Sequence, residues 1–180
     1  MLARLFGRSR HEETASRLYS AIVARARAPV FYARLGVPDS LDGRFDMITL
    51  HGFLVFHRLK ATQGTGKLAQ ALFDFMFADM DRSLREMGVG DLSVGKRVKA
   101  MVAAFYGRVS AYQEGLEGEP EALCEALARN LYRGDPPPPA DLALLAAYVG
   151  ACVTTLAACE TADLTEKGTL VFAALPPDLT

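Results

Sequence analysis

The sequence predicts an all-α fold, a single compact helical domain of about six helices. Apolar residues recur three and four positions apart through most of the 180 residues, glycine and proline clusters separate those stretches, and strand-like alternation persists nowhere before Thr169. The composition, 51% hydrophobic and 23% charged, suits a globular chain with a core, and at this length about two thirds of the unfolded surface is buried on folding.

The first helix runs from about Thr14, with Leu18, Ile22 and Val23 at helical spacing, to about Ala28, because Pro29 biases its predecessor out of the helical region. Residues 1–13 form an N-terminal tail, and residues 14–180 the domain. Phe31 to Arg44 reads as a loop, since Gly36, Pro38, Asp39, Asp42 and Gly43 suit turns and a helix start. In the second helix Phe45, Ile48, Val55 and Leu59 share one side while Leu50, Phe53 and Leu54 fall elsewhere. A helix apolar on most faces is expected at the centre of the domain.

The third helix, about Lys67 to Met87, has a stripe of Phe73, Phe77, Met80, Leu84 and Met87, with Gly88 placed as its C-cap. At 100° per residue Asp79 falls among a second apolar flank of Leu68, Leu72, Phe75 and Met76, so it is expected to be buried or to face a groove. The fourth helix, about Val94 to Leu116, aligns Val98, Met101, Phe105, Val109 and Tyr112. Lys96, Arg97 and Lys99 stand in its first turns, where cations oppose the helix dipole, so an acidic partner is one reading and a solvated face the plainer one. Pro120 suits the first turn of a fifth helix carrying Leu123, Leu127 and Leu131. Pro136 to Pro139 make a stiff connector to a sixth helix spanning Leu142 to Cys159. That uncharged stretch is long enough to cross a bilayer, but its leucines and valines supply only about 2 to 3 kcal/mol of insertion, so it reads as a buried helix. Leu170 to Ala173 is expected to be extended, ending at Pro176.

The balance of 20 basic and 21 acidic side chains leaves no global field to recruit nucleic acid. Cysteines 124, 152 and 159 form no Cys-x-x-Cys pair, and 152 and 159 stand about 10 Å apart along one helix, so they read as reduced thiols. Gln63-Gly-Thr-Gly-Lys67 resembles a phosphate loop but fails its template: Ala61 stands at the first glycine position, Leu68 replaces the metal-binding hydroxyl, and a helix precedes it. His51 and His57 lie about 240° apart on their helix and share no metal; His51 reads as a hydrogen-bonded core histidine. Arg4, Arg8 and Arg10 lack the apolar run of a secretory signal, and Leu2, Leu5 and Phe6 beside them could make a peripheral membrane contact.

Several segments together resemble a known family. Phe31-Tyr32, Gly36-Val-Pro-Asp39, Asp42-Gly-Arg-Phe45, Leu50-His51, Gly64-Thr-Gly-Lys67, Phe75-Met-Phe-Ala-Asp79, Arg85-Glu-Met-Gly-Val-Gly-Asp91, Ala104-Phe-Tyr-Gly107 with Tyr112, Ala126-Leu127, Asn130-Leu-Tyr132 and Tyr148-Val149 occur in the order and spacing of the ubiquinol-cytochrome c chaperones, assembly factors of the cytochrome bc1 complex. The resemblance, from about Leu18 to Val149, implies a non-enzymatic all-α chaperone that binds newly made cytochrome b, with no cofactor, no metal and no direct nucleic-acid contact. It implies a cytoplasmic protein, peripheral at the inner membrane, or one on the matrix side in mitochondria, where members act with a small partner and contact the ribosome. The expected client surface comprises Phe31, Tyr32, Asp39, Arg44, Phe45, His51, Asp79, Lys96, Arg97 and Lys99. Two other readings remain: a small helical enzyme with His51 and Asp79 as an acid-base pair, and a membrane adaptor anchored by Leu2, Leu5 and Phe6.

Overall fold

A computed structural model of the chain describes residues 10–133 and 135–175, apart from the side chain of Pro120. The described residues form α1 (Arg10–Ala26), α2 (Pro29–Ala33), α3 (Leu41–Lys60), α4 (Gly66–Glu86), α5 (Asp91–Glu117), α6 (Pro120–Tyr132), α7 (Pro139–Ala158) and a π-helical turn (Asp163–Lys167). There is no strand among them, so the all-α reading holds. Leu170 to Ala173 runs without regular secondary structure, and Leu2, Leu5, Phe6 and Pro176 lie outside the described residues.

Two departures come from local chemistry. The stretch read as a loop contains α2, a helix too short for periodicity to reveal, with Pro29 in its first turn and Phe31 wholly buried. Its neighbour α3 begins at Leu41, four residues early, because the side chain of Ser40 accepts a hydrogen bond from the Gly43 amide at 3.1 Å. Gly43 sits so close to the preceding turn that a Cβ would stand 1.9 Å from the Pro38 carbonyl oxygen. The glycine therefore marks a close approach of helix and turn. At the far end of α4 the sequence reading holds: Gly88 takes φ +81°, its N–H bonds the Arg85 carbonyl, and the Val89 N–H bonds that of Leu84. These are the paired bonds of a Schellman cap.

Helix α3 packs against α1, α4, α5, α6 and α7, as its nearly continuous apolar surface requires. One core cluster joins it to α2, α6, α7 and the C-terminal segment through Phe31, Leu50, Phe53, Leu127 and Leu145. Another joins it to α1, α4 and α5 through Leu18, Ile22, Leu72, Met76 and Phe105. On α4 the flank of Leu68, Leu72 and Met76 is the more deeply buried, while Met87, at the end of the other stripe, is 53% exposed. The α7 helix is one-sided: Leu145, Tyr148, Val149, Cys152 and Leu156 are buried, whereas Ala143, Ala147, Ala151 and Ala158 face outward. It is long and apolar enough to span a bilayer by length and composition, and 28% of it is buried, so the expectation of a buried helix applies to one face only. Its C-terminal carbonyls are capped from α3, where Arg58 Nε donates to the Leu156 carbonyl at 2.8 Å and Nη2 to that of Cys159 at 3.1 Å.

The α5–α6 contact is set by Gly115, where a Cβ would meet Leu123 Cα at 2.9 Å, whereas Gly107 on the same helix has nothing within 4 Å. Gly115→Leu should therefore cost on the order of 2 kcal/mol by overpacking, while Gly107→Ala should gain about 0.5 to 1 kcal/mol from helix propensity. Denaturant midpoints of the two variants check this, and equal shifts would contradict the packing.

Candidate functional site

A groove of about 340 Å³ lies where α1, α3, α4 and α5 meet. Phe45 and Ile48 of α3 form part of its floor, Met80 and Leu84 of α4 one wall, and Met101 of α5 another. Leu41, 47% exposed, and Met87 stand at its edge. Leu92, in the first turn of α5 and outside the groove lining, is 98% exposed. The groove thus sets two exposed large apolar side chains, Leu41 and Met87, beside a continuous apolar lining, which a single scattered side chain would not do. Methionine suits such a wall because its unbranched, polarizable chain adapts to an irregular neighbour.

Its polar members are fixed in place. Asp79 accepts a hydrogen bond from the Tyr19 hydroxyl at 2.9 Å and pairs with Arg82 at 2.6 Å. Burial, then the adjacent Asp79 carboxylate, push the Tyr19 hydroxyl far above the ordinary phenol range. Asp79 is half-buried and lines the groove, as its place on the helical wheel predicts. Arg44 pairs with Asp39 at 2.7 Å, and that hydrogen bond holds the Asp39 carboxyl below the usual carboxylate range. With Arg27, Arg44 also borders a second hollow beside the first, which includes Tyr32 and Asp39.

The expected client residues therefore divide. Arg44, Phe45 and Asp79 line the groove, and Tyr32 and Asp39 line the hollow next to it. Lys96, Arg97 and Lys99 are exposed on α5, outside the groove itself. Phe31 and His51 are wholly buried, so neither presents a surface to a partner. The His51 ring is sealed between helices: Arg25 Nε donates to the Tyr148 hydroxyl at 2.8 Å, that hydroxyl donates to His51 Nε2 at 2.9 Å, and Nδ1 donates to the Met47 carbonyl at 2.9 Å. This sequence of donors leaves one consistent tautomer, a neutral ring protonated on Nδ1. Phe31 and Phe172 stack edge-on against it. His51 and Asp79 thus have separate partners, and the acid-base pair that their wheel positions allow is not assembled.

Sequence comparisons agree with the architecture. Residues 33–172 match the profile of the ubiquinol-cytochrome C chaperone family. The chain belongs to that family. A crystal structure of the Cbp3 homolog from Brucella abortus superposes with a TM-score of 0.80, at 39% identity and covering 92% of both chains. The ubiquinol-cytochrome-c reductase complex assembly factor 1 of Xenopus laevis is 28% identical over 159 residues, which is 88% of this chain and 80% of that protein. The mouse protein of that name is 29% identical over 136 residues, 75% of this chain, and the match spans about half its length, 46%.

In this chaperone-family domain, sequence reasoning missed Arg27 and the groove-edge roles of Leu41 and Met87. Arg27 follows the last turn of α1, and only its proximity to α3 and α4 makes it a rim residue. Regarding the sealed histidine, burial lowers the His51 pKa from 6.5 to about 4. The unfolded chain binds a proton near pH 6.5 that the folded domain refuses until about pH 4, so acid favours unfolding across this window. Unfolding free energy should fall by up to about 3 kcal/mol more between pH 7 and pH 4 in the natural chain than in His51→Gln. Parallel pH profiles for the two would contradict a neutral buried ring.

Proposed function

We propose that this chain is a non-enzymatic assembly chaperone that holds newly made cytochrome b and promotes its incorporation into the cytochrome bc1 complex. The observation that supports this best is the methionine-walled groove, with Leu41 and Met87 left exposed at its edge. A client that will become a membrane protein presents apolar helices before it is fully assembled. An apolar groove between helices accepts such a helix as an i, i+3, i+4 ridge. The domain works at the membrane face where the client is inserted, the cytoplasmic side in a bacterium and the matrix side in a mitochondrion. Family membership supplies the complex, and the groove supplies the means of holding an apolar segment.

Catalysis has weaker support, because the strongest acid-base candidates, His51 and Asp79, are both committed to hydrogen bonds that hold the fold together. In the Gly64 to Lys67 segment, Gly64 and Thr65 end the α3–α4 connection and Gly66 and Lys67 open α4, with Thr65 donating to the Leu59 carbonyl at 2.7 Å.

In a cell that makes the bc1 complex, a photo-crosslinker at position 87 should capture cytochrome b. Leu41→Asp with Met87→Asp, both at exposed positions, should lower assembled bc1 several-fold while leaving the chaperone's abundance unchanged. Normal bc1 assembly in a strain lacking the chain would overturn the reading.

A further inference from the structure

Four buried polar atoms between α3 and α5 have no hydrogen-bond partner among the described residues: Asp46 Oδ1 and Thr49 Oγ1 on α3, Arg108 Nε and Tyr112 Oη on α5. Asp46, Thr49 and Tyr112 are wholly buried, and the Arg108 side chain is 14% exposed. Two contacts set their register. Asp46 meets Arg108 at 2.8 Å, and the Phe53 and Tyr112 rings stand 5.6 Å apart. Asp46, Thr49 and Phe53 lie within about 60° of one another around α3, so Thr49 sits between those two contacts on the face that meets α5. Across from it, Tyr112 stands one turn after Arg108, and long helical side chains lean back over the preceding turn, which brings its hydroxyl toward the guanidinium. The electrostatics agree with that proximity: burial, then the Asp46 carboxylate, push the Tyr112 hydroxyl above the ordinary phenol range, while the Arg108 guanidinium draws it down. A buried polar group without a partner forfeits its hydration, and four of them together would rival the stability of a whole domain. A cation here would meet Arg108 and an anion would meet Asp46, so the ligand that suits the site is small, neutral and able both to donate and to accept.

We propose that one ordered water is bound in the α3–α5 interface, accepting from Arg108 Nε and the Tyr112 hydroxyl and donating to Asp46 Oδ1 and Thr49 Oγ1. Two donors and two acceptors are what a single buried water satisfies. The water seats one wall of the groove on its floor. Arg108 follows Met101 by seven residues, on nearly the same side of α5, and its guanidinium lies 5.6 Å from the centre of the Phe45 ring.

Thr49→Val and Tyr112→Phe each remove one hydroxyl and keep the side chain's shape, and urea unfolding of the full chain reads the result. With the water bound, each variant should raise the unfolding equilibrium constant about fivefold. The double variant should fall well short of the product of the two, because both hydroxyls act through one molecule. A high-resolution crystal structure of the natural chain should show an ordered water within hydrogen-bond distance of all four atoms, and it decides the matter even where a variant fails to fold. Greater stability in both single variants would overturn the proposal, since dry, unpaired hydroxyls are better removed. So would effects that simply multiply, which would put the two hydroxyls on separate partners, or a crystal structure in which the four atoms pair with one another or no water lies among them.

Discussion

The hydrogen-bonded chain from Arg25 through Tyr148 and His51 to the Met47 carbonyl is the constraint on which the remaining packing depends. It joins α1, α7 and α3 inside the core, where each polar atom left unpaired would cost about 1 to 3 kcal/mol. The donors run in one direction, so removing any member strands the next. A second branch of Arg25 donates to the Ala173 carbonyl, and its guanidinium lies 5.1 Å from the centre of the Tyr148 ring. The C-terminal segment is thereby held over the histidine, with Phe172 against the ring's edge. Three helices and the tail acquire one mutual register from this single line of bonds.

With that face of α3 committed to α1 and α7, adjacent residues at the start of the helix serve different neighbours. Phe45 supplies the groove floor. Asp46, about 100° farther around the axis, is wholly buried and pairs with Arg108 of α5 at 2.8 Å and with Arg133, just after α6, at 3.1 Å. The Arg108 contact is close but poorly aligned: Asp46 Oδ1 and Arg108 Nε have no hydrogen-bond partner among the described residues, so the attraction there is mainly that of charges. Burial pushes the Asp46 carboxyl above its ordinary range, and the two guanidiniums pull against that rise. Arg133 holds a left-handed conformation, φ 51°, a strain of about 1 to 2 kcal/mol for a residue with a Cβ. Its bonds to Asp42 and Asp46 offset that strain and close α6 against α3. The wall carrying Met101 is held at its distance from the floor by this buried charge cluster.

The periodicity of the sequence made α1 and α3 to α7 legible, because each buries a stripe long enough to repeat. The central place of α3 was legible too, since most of its faces are apolar. Asp79 was found by the wheel because a carboxylate among leucines and phenylalanines has few explanations. What stayed hidden depends on distance along the chain. The partner that decides His51's role, Tyr148, is 97 residues away, and no local pattern encodes it. Gly43 was read as a turn residue because its cause, a carbonyl of Pro38 pressed against the helix start, exists only after folding. Met87 continued an apolar stripe on paper, but the Schellman cap ends the helix there and leaves its side chain half outside.

The groove's apolar edge is a cost to an isolated domain, and the identity of its residues shows how that cost is limited. Leu41 and Met87 stand at helix ends, where they can be exposed without opening the core, while Phe45 and Leu84 beneath them remain buried at 7% and 3% exposure. The floor therefore needs no partner to be stable. Only the edge gains from an occupant, so binding adds apolar burial at Leu41 and Met87 without any refolding of the domain beneath. Such an arrangement suits reversible holding: the contact area at stake is that of a few side chains, and the core anchored on α3 is the same whether the groove is filled or open.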